Sequence, residues 1–357
     1  MDYSKYYTPL SIAELLIKQL RIGTPERIVD ICCGSCNLLN AAKYRWRNAL
    51  LFGADIADPK DRNVAFEKTD GRAYALKHKK EFPLVLANPP FGYLERMNEF
   101  PQLFQAPFED YNTSRLENEM LIANLHMLQD GGTLLIIMPS SFVEGASHKA
   151  LREIIAKRYQ VQSIIELDEC TFGSSRIHSY ALIIKNRVCK KYTCELMLTE
   201  KQNNTFAIHL IQKKTSSDLL KGLWTEDSAV HPQMKIDIRR GNVSSACFRE
   251  KGQAILHTSK LSDAWSPSVR YIDPSISPNT YAEAGDIIVS RIGKSAGQWY
   301  VYSGVRIPIS DCLYRIKDPN GEIYRRIRDW RFTKKLRGVA TRYITMSDFA
   351  SWIDSLP

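Results

Sequence analysis

Asn88-Pro89-Pro90-Phe91 constrains this chain more than any other four residues. It follows Phe82-Pro83-Leu84-Val85-Leu86-Ala87, an apolar run of strand length. Two consecutive prolines lack the amide hydrogens that a sheet needs, and they force the chain into an extended exit. An amide, two stiff backbone units and an aromatic ring are thereby presented at the C-terminal end of a strand, where open α/β sheets bind ligands. The Asn88 side-chain oxygen and the Pro89 carbonyl can each accept a hydrogen from a planar amino group. Phe91 can stack on the ring that carries it, a contact worth about 1–3 kcal/mol for a base. Asn-Pro and Pro-Pro are also ordinary turn signals, so the neighbouring residues must decide between the two.

Further strand patterns lie at Arg27–Ile31, Leu50–Ile56, Val64–Thr69, Gly132–Met138, Val161–Leu167 and Ser179–Ile184. Between them, Asn118–Leu128 and His148–Tyr159 repeat apolar residues at three- and four-residue spacing. Near the start, Ser11-Ile12-Ala13-Glu14 reads as a capping box, and Ile12, Leu15, Leu16 and Leu20 share one helical face. The alternation predicts an α/β fold: a doubly wound, mostly parallel, seven-stranded sheet. A short connector before the last strand allows that strand to run antiparallel. After about residue 188 the alternation lapses into short apolar runs, Ser, Gly, Pro and Lys/Arg clusters. A length of 357 residues suits two domains. They are expected over 1–190 and 191–357, the second a β-rich α+β domain.

Net charge is +10, but residues 188–357 hold 26 Lys and Arg against 17 Asp and Glu. That excess suggests a polyanion, such as nucleic acid, as partner of the second half. Of the eight cysteines, only Cys32, Cys33 and Cys36 cluster, and no second close pair gives the spacing of a zinc site. No metal is expected, and the thiols read as reduced and buried. Met1-Asp2-Tyr3-Ser4-Lys5 opens no signal-peptide pattern, and no apolar stretch approaches the ~20 residues of a membrane span. The expected location is the cytoplasm, with no membrane partner.

A small-residue turn, Asp30-Ile31-Cys32-Cys33-Gly34-Ser35-Cys36, directly follows the first strand and would let backbone amides approach a ligand. Asp55 ends the second strand, where an acid can accept both ribose hydroxyls of a nucleoside cofactor. Asp70-Gly71-Arg72-Ala73 follows the third. NAD would want G-x-G-x-x-G after the first strand, which this chain lacks.

In sequence order these features resemble the amino-methyltransferases that use S-adenosylmethionine. Their hallmark is N/D-P-P-Y/F, and their first motif is often D-P-x-C-G-S-G in the DNA adenine enzymes. Here Ile31 replaces the proline and Cys36 the last glycine. Tyr6-Tyr7-Thr8-Pro9 resembles the motif that contacts the methionine part. The resemblance implies S-adenosylmethionine as cofactor. It would be held by Tyr7, Thr8, Pro9, Asp30, Cys32, Gly34, Asp55, Ile56, Asp70, Gly71 and Asn88, with Asp70 on the adenine amino group. It implies that Asn88, Pro89, Pro90 and Phe91 hold an extruded base, with Phe172, after the sixth strand, packing against it. The hydrogen bonds of Asn88 and Pro89 would free the amino lone pair from the ring for in-line attack on the sulfonium methyl.

In the second half, Ala284–Gly293 and Ile309–Ile316 resemble strands of the target-recognition domains found in type I specificity subunits. Arg270, Arg291, Lys294 and Arg306 are candidate DNA contacts. Motif order matches the gamma arrangement of amino DNA methyltransferases. The resemblance therefore implies a sequence-specific adenine-N6 methyltransferase of a restriction-modification or related defence system. It would act on double-stranded DNA, with a cognate restriction endonuclease or partner subunit as a further partner. N4-cytosine transfer, RNA or protein-glutamine transfer, and a non-catalytic specificity module stay open as alternatives.

Overall fold

The structure, a computed structural model, describes residues 7–59, 63–167, 171, 178–202, 205–225, 236–260, 262, 264–333, 336 and 342–356. The chain divides into two compact units, Met1–Ser228 and Ala229–Pro357.

The first unit is an α/β fold. The apolar runs form β1 (Arg27–Asp30), β2 (Leu50–Asp55), β3 (Ala65–Lys68), β4 (Phe82–Ala87) and β5 (Leu128–Pro139), all parallel to one another. β6 (Gln160–Leu167) and β7 (Ser179–Lys185) follow, with β7 inserted antiparallel between β5 and β6. The sheet then continues through β8 (Thr193–Gln202), parallel to β6, and β9 (Thr205–Thr215), antiparallel to β8. Its order is β3-β2-β1-β4-β5-β7-β6-β8-β9, nine strands rather than the seven expected, a mixed sheet in which five of the eight pairings are parallel.

The same two strands correct the expected boundary at 190. Cys194 and Leu196 of β8 are buried in the first unit's core, Glu195 pairs with Arg21 at 2.7 Å, and Trp224 is buried beyond them. The sheet therefore carries the unit past residue 190, at least to Thr215.

Period-two burial places helices on both faces, because alternate strand residues point to opposite sides. Val29, Val85, Leu134 and Ile136 face one core with α3 (Gly71–Lys77), α4 (Leu116–Met127) and α5 (Lys149–Arg158). Ile28, Leu84, Leu86, Leu135 and Ile137 face the other, with α1 (Leu10–Lys18) and α2 (Asn37–Arg45). The capping box expected at Ser11 is not what starts α1. Pro9 is its N-cap, and the Pro9 carbonyl accepts from the Ile12 and Ala13 amides at 3.0 and 2.9 Å. Proline suits that position because its missing amide would have no helical partner and its φ is already helical.

The second unit is β-rich. Its main sheet is antiparallel and includes Ile287–Ser290 paired with Leu313–Ile316, the two segments marked in the sequence. One face of this pair, Ile287, Val289, Tyr314 and Ile316, packs on the helices Glu322–Ile327 and Met346–Ser355. No helix among the described residues is long and apolar enough to cross a membrane.

Candidate active site

The C-terminal ends of parallel β1, β2, β3 and β4 lie together, and a cleft of about 480 Å³ opens there. It brings together Tyr7, Thr8, Asp30, Cys32, Gly34, Asp55, Ile56, Asp70, Gly71, Asn88, Pro89, Pro90 and Phe91. Of the residues expected there, Pro9 is not part of the lining; it is engaged in starting α1. Phe172 lies outside the described residues.

The turn after β1 is shaped by hydrogen bonds to two acids. The Cys32 amide donates to Asp30 at 3.0 Å, and the Gly34 amide donates to Asp55 Oδ2 at 2.8 Å. Asp55 Oδ1 accepts from the Ala57 amide at 2.9 Å. Asp55 thus organises the turn while lining the cleft. Gly34 sits at φ +49°, and a Cβ there would come within 2.5 Å of the Tyr7 ring. Cys36, where the resemblance expects glycine, adopts φ 60°. The backbone keeps the left-handed conformation that glycine prefers, at a cost for any other residue.

Burial pushes the Asp30 carboxyl up to about 7, and the neighbouring Asp55 charge pushes the same way. The Cys32 thiol is raised for the same reasons, burial first and then the Asp30 and Asp55 charges, which keeps it protonated and unreactive.

At the end of β3, Asp70 caps α3 by accepting from the Arg72 amide at 2.8 Å. It also receives the Arg72 guanidinium at 3.1 and 2.8 Å. Burial would raise the Asp70 carboxyl, but the Arg72 hydrogen bonds and charge outweigh it and hold the group low. Gly71 must be glycine, because a Cβ would stand 2.1 Å from the Ile31 carbonyl oxygen. Arg72 goes on to Glu99 at 2.8 Å and Glu119 at 3.0 Å, and its guanidinium lies 4.6 Å over the Phe100 ring.

At the end of β4, the Asn88 amide nitrogen donates to the Thr8 hydroxyl at 3.0 Å. Phe91 is half-buried, its ring packed against the core shared with α1 and α2. The Gly92 amide donates to buried Glu117 at 3.0 Å, and burial raises the Glu117 carboxyl. Arg72, Leu116 and Met120 also line the cleft and were not singled out as site residues by the sequence. Leu116 and Met120 stand one turn apart on α4, a spacing that reads equally as core.

Residues 30–172 match the family model described as Eco57I restriction-modification methylase. The type II methyltransferase M.CvrRI of Paramecium bursaria Chlorella virus XZ-6E is 21% identical over 210 residues, 55% of this chain and 53% of that one. The type II restriction enzyme and methyltransferase RM.Eco57I of Escherichia coli is 23% identical over 186 residues, 50% of this chain and 16% of that one. The chain thus spans about half the length of the first relative and far less of the second. Among solved structures, the type IIG restriction endonuclease BpuSI is similar with a TM-score of 0.48 at 12% identity, over 88% of this chain and 53% of that one. The matched segment begins at Asp30 and takes in Asp55, Asp70 and the Asn88-Pro89-Pro90-Phe91 turn.

In the second unit, Arg270 and Lys294 are exposed. Arg291 is half-buried and donates to the Asp311 carbonyl at 2.8 Å, which Arg240 also reaches at 2.9 Å. Arg306 pairs with Glu283 at 3.3 Å and stacks over Tyr281 at 3.8 Å. Arg326 bonds the Leu356 carbonyl at 2.8 Å and so serves the fold.

Proposed function

We propose that this chain is a sequence-specific DNA adenine-N6 methyltransferase of a restriction-modification or related defence system, with S-adenosylmethionine as its cofactor. The observation that carries the reading is a single cleft lined by Asp55, Asp70 and the Asn88-Pro89-Pro90-Phe91 turn. The cleft fits a nucleoside cofactor on three counts. Gly34 and Gly71 lie where any Cβ would clash, so the floor is backbone. Two acids at adjacent strand ends suit ribose hydroxyls and an adenine amino group. Apolar Ile56, Leu116 and Met120 suit a flat ring.

S-adenosylmethionine, when bound, supplies an electrophilic methyl group. The chain's own residues grip the acceptor. Asn88 Oδ1 and the Pro89 carbonyl accept the two hydrogens of the amino group, which favours a tetrahedral nitrogen and frees its lone pair. Pro89 and Pro90 keep that geometry rigid, so little entropy is lost on binding. A base within a duplex must be turned out to reach the cleft, at a cost of a few kcal/mol. We assign the offsetting phosphate contacts and the reading of sequence to Ala229–Pro357, which holds 20 Lys and Arg against 12 Asp and Glu. Arg270, Lys294 and Arg306 are the exposed candidates for those contacts, and Phe172 is proposed to pack on the target base.

The test is to express the full chain in a host free of DNA methylation and read its genome by a method that detects modified bases. N6-methyladenine within one recurring sequence is expected. N4-methylcytosine in its place would change the substrate, and an unmodified genome would overturn the reading.

A further inference from the structure

By resemblance, Thr8 belongs to the methionine end of the cofactor. Its contacts point to another role. Thr8 is only 4% exposed, and its hydroxyl oxygen receives a hydrogen from Asn88 Nδ2 at 3.0 Å. Its carbonyl accepts from Asn37 Nδ2, at the start of α2, at 2.9 Å. The next residue, Pro9, begins α1. Thr8 is therefore held through its backbone by two helices that both pack on the sheet carrying Asn88. Both Thr8 and Asn88 line the cleft.

The last torsion of an asparagine is broad, so nothing intrinsic fixes which end of the carboxamide faces a ligand. The two ends differ in kind: the oxygen accepts and the NH2 donates. An amino group offers hydrogens, so only the oxygen end can engage it. A fixed hydroxyl that takes up an NH2 hydrogen supports the productive orientation and sets the plane of the amide.

We propose that Thr8 is a positioning residue for methyl transfer: its hydroxyl holds the Asn88 carboxamide by the nitrogen end and commits the oxygen end to the substrate's amino group. This rests on the reading of the site given above. It moves Thr8 from cofactor affinity to the transfer step.

The experiment compares the full chain with Thr8→Val, Thr8→Ser and Thr8→Ala. It uses single-turnover methylation of unmodified genomic DNA at saturating S-adenosylmethionine, cofactor affinity by calorimetry, and thermal melting to verify folding. In Thr8→Val the transfer rate should fall about ten- to hundredfold, the scale of a misplaced reacting group. Cofactor affinity should stay within about threefold, as expected when an interaction matters only in the reacting complex. Thr8→Ser, which keeps the hydroxyl, should recover most of the rate. Thr8→Ala should match Thr8→Val and replaces it if valine prevents folding.

A Thr8→Val rate equal to that of the native chain would overturn the proposal. So would a loss confined to cofactor affinity and repaired by saturation, or a Thr8→Ser variant as slow as valine. A native chain that transfers no methyl group to adenine overturns the underlying reading instead, and the two failures are distinct.

Discussion

Asn88 is where the candidate chemistry concentrates. It stands at the end of a strand that is buried on both faces, and its amide contacts Thr8. Asn88→Ala is expected to abolish methyl transfer and leave S-adenosylmethionine affinity nearly unchanged, with calorimetry on the variant as the check. A large loss of affinity would place Asn88 on the cofactor. Asp30 makes a different prediction. Burial keeps it protonated up to about 7, whereas its ordinary value is 3.8. Below the ordinary value both folded and unfolded chains carry the proton, and burial costs nothing. As the pH climbs toward about 7 only the unfolded chain ionises, so the folded state loses stability, and above that the loss is complete. Asp30→Asn can still accept from the Cys32 amide and does not titrate. Relative to the native chain it should gain about 1–3 kcal/mol between roughly pH 5 and pH 8. Urea titrations at the two pH values measure this, and a difference that does not change with pH would refute it.

α4 shows what an element adds that its own sequence conceals. Its residues are buried nearly all round, so it has no clear apolar stripe, and the charged side chains Glu117 and Glu119 lie inside. Glu119 accepts from the Phe100 amide at 2.6 Å as well as from Arg72. Glu117 accepts from Gly92. The helix thereby ties the segment after Phe91 to the acid at the end of β3. Glu119→Ala should destabilise the first unit by about 2–4 kcal/mol, since it leaves a buried cation and amide short of an acceptor. It should also speed amide hydrogen exchange near Phe100. Exchange at the native rate would mean that Arg72, Asp70 and Glu99 suffice. The strands β1, β2, β4 and β5 were legible because continuous apolar runs bounded by Gly, Pro and Asp leave little choice. The strand-end positions of Asp55, Asp70 and Asn88 were legible for the same reason. Glu117, Glu119 and the Arg72 network were not. Their partners lie up to 47 residues away, and a charge in a helix reads locally as a solvated face.

At the scale of the molecule, the unit boundary was the misread feature. β9 is exposed along much of its length, and His209, Gln212, Lys213 and Lys214 break up its apolar residues, so its pattern is diluted where the sheet ends. Its partner β8 is nevertheless part of the core. A fragment of residues 1–228 is expected to fold and bind S-adenosylmethionine without methylating a defined sequence, since 29 Lys and Arg nearly balance 27 Asp and Glu within it. Calorimetry and methylation assays on that fragment check both halves of the statement. Full site-specific methylation by the fragment would remove the second unit from target reading.

The extension of the sheet past β6 also decides how the chain would fail. β6 is buried along most of its length and uses one backbone edge for β7 and the other for β8. Cutting the chain at residue 190 would leave that second edge open beside Val161, Ile164, Ile165 and Leu167, a row of unpaired amides and carbonyls flanked by apolar side chains. Such an edge recruits strands from other molecules. The shorter fragment should therefore precipitate or form large oligomers on expression, whereas a 1–228 fragment is expected to stay dispersed, and light scattering would distinguish the two. On this view the β8–β9 hairpin is a guard against self-association, and exposed Gln212 and Lys213 on its outer strand keep the new edge solvated.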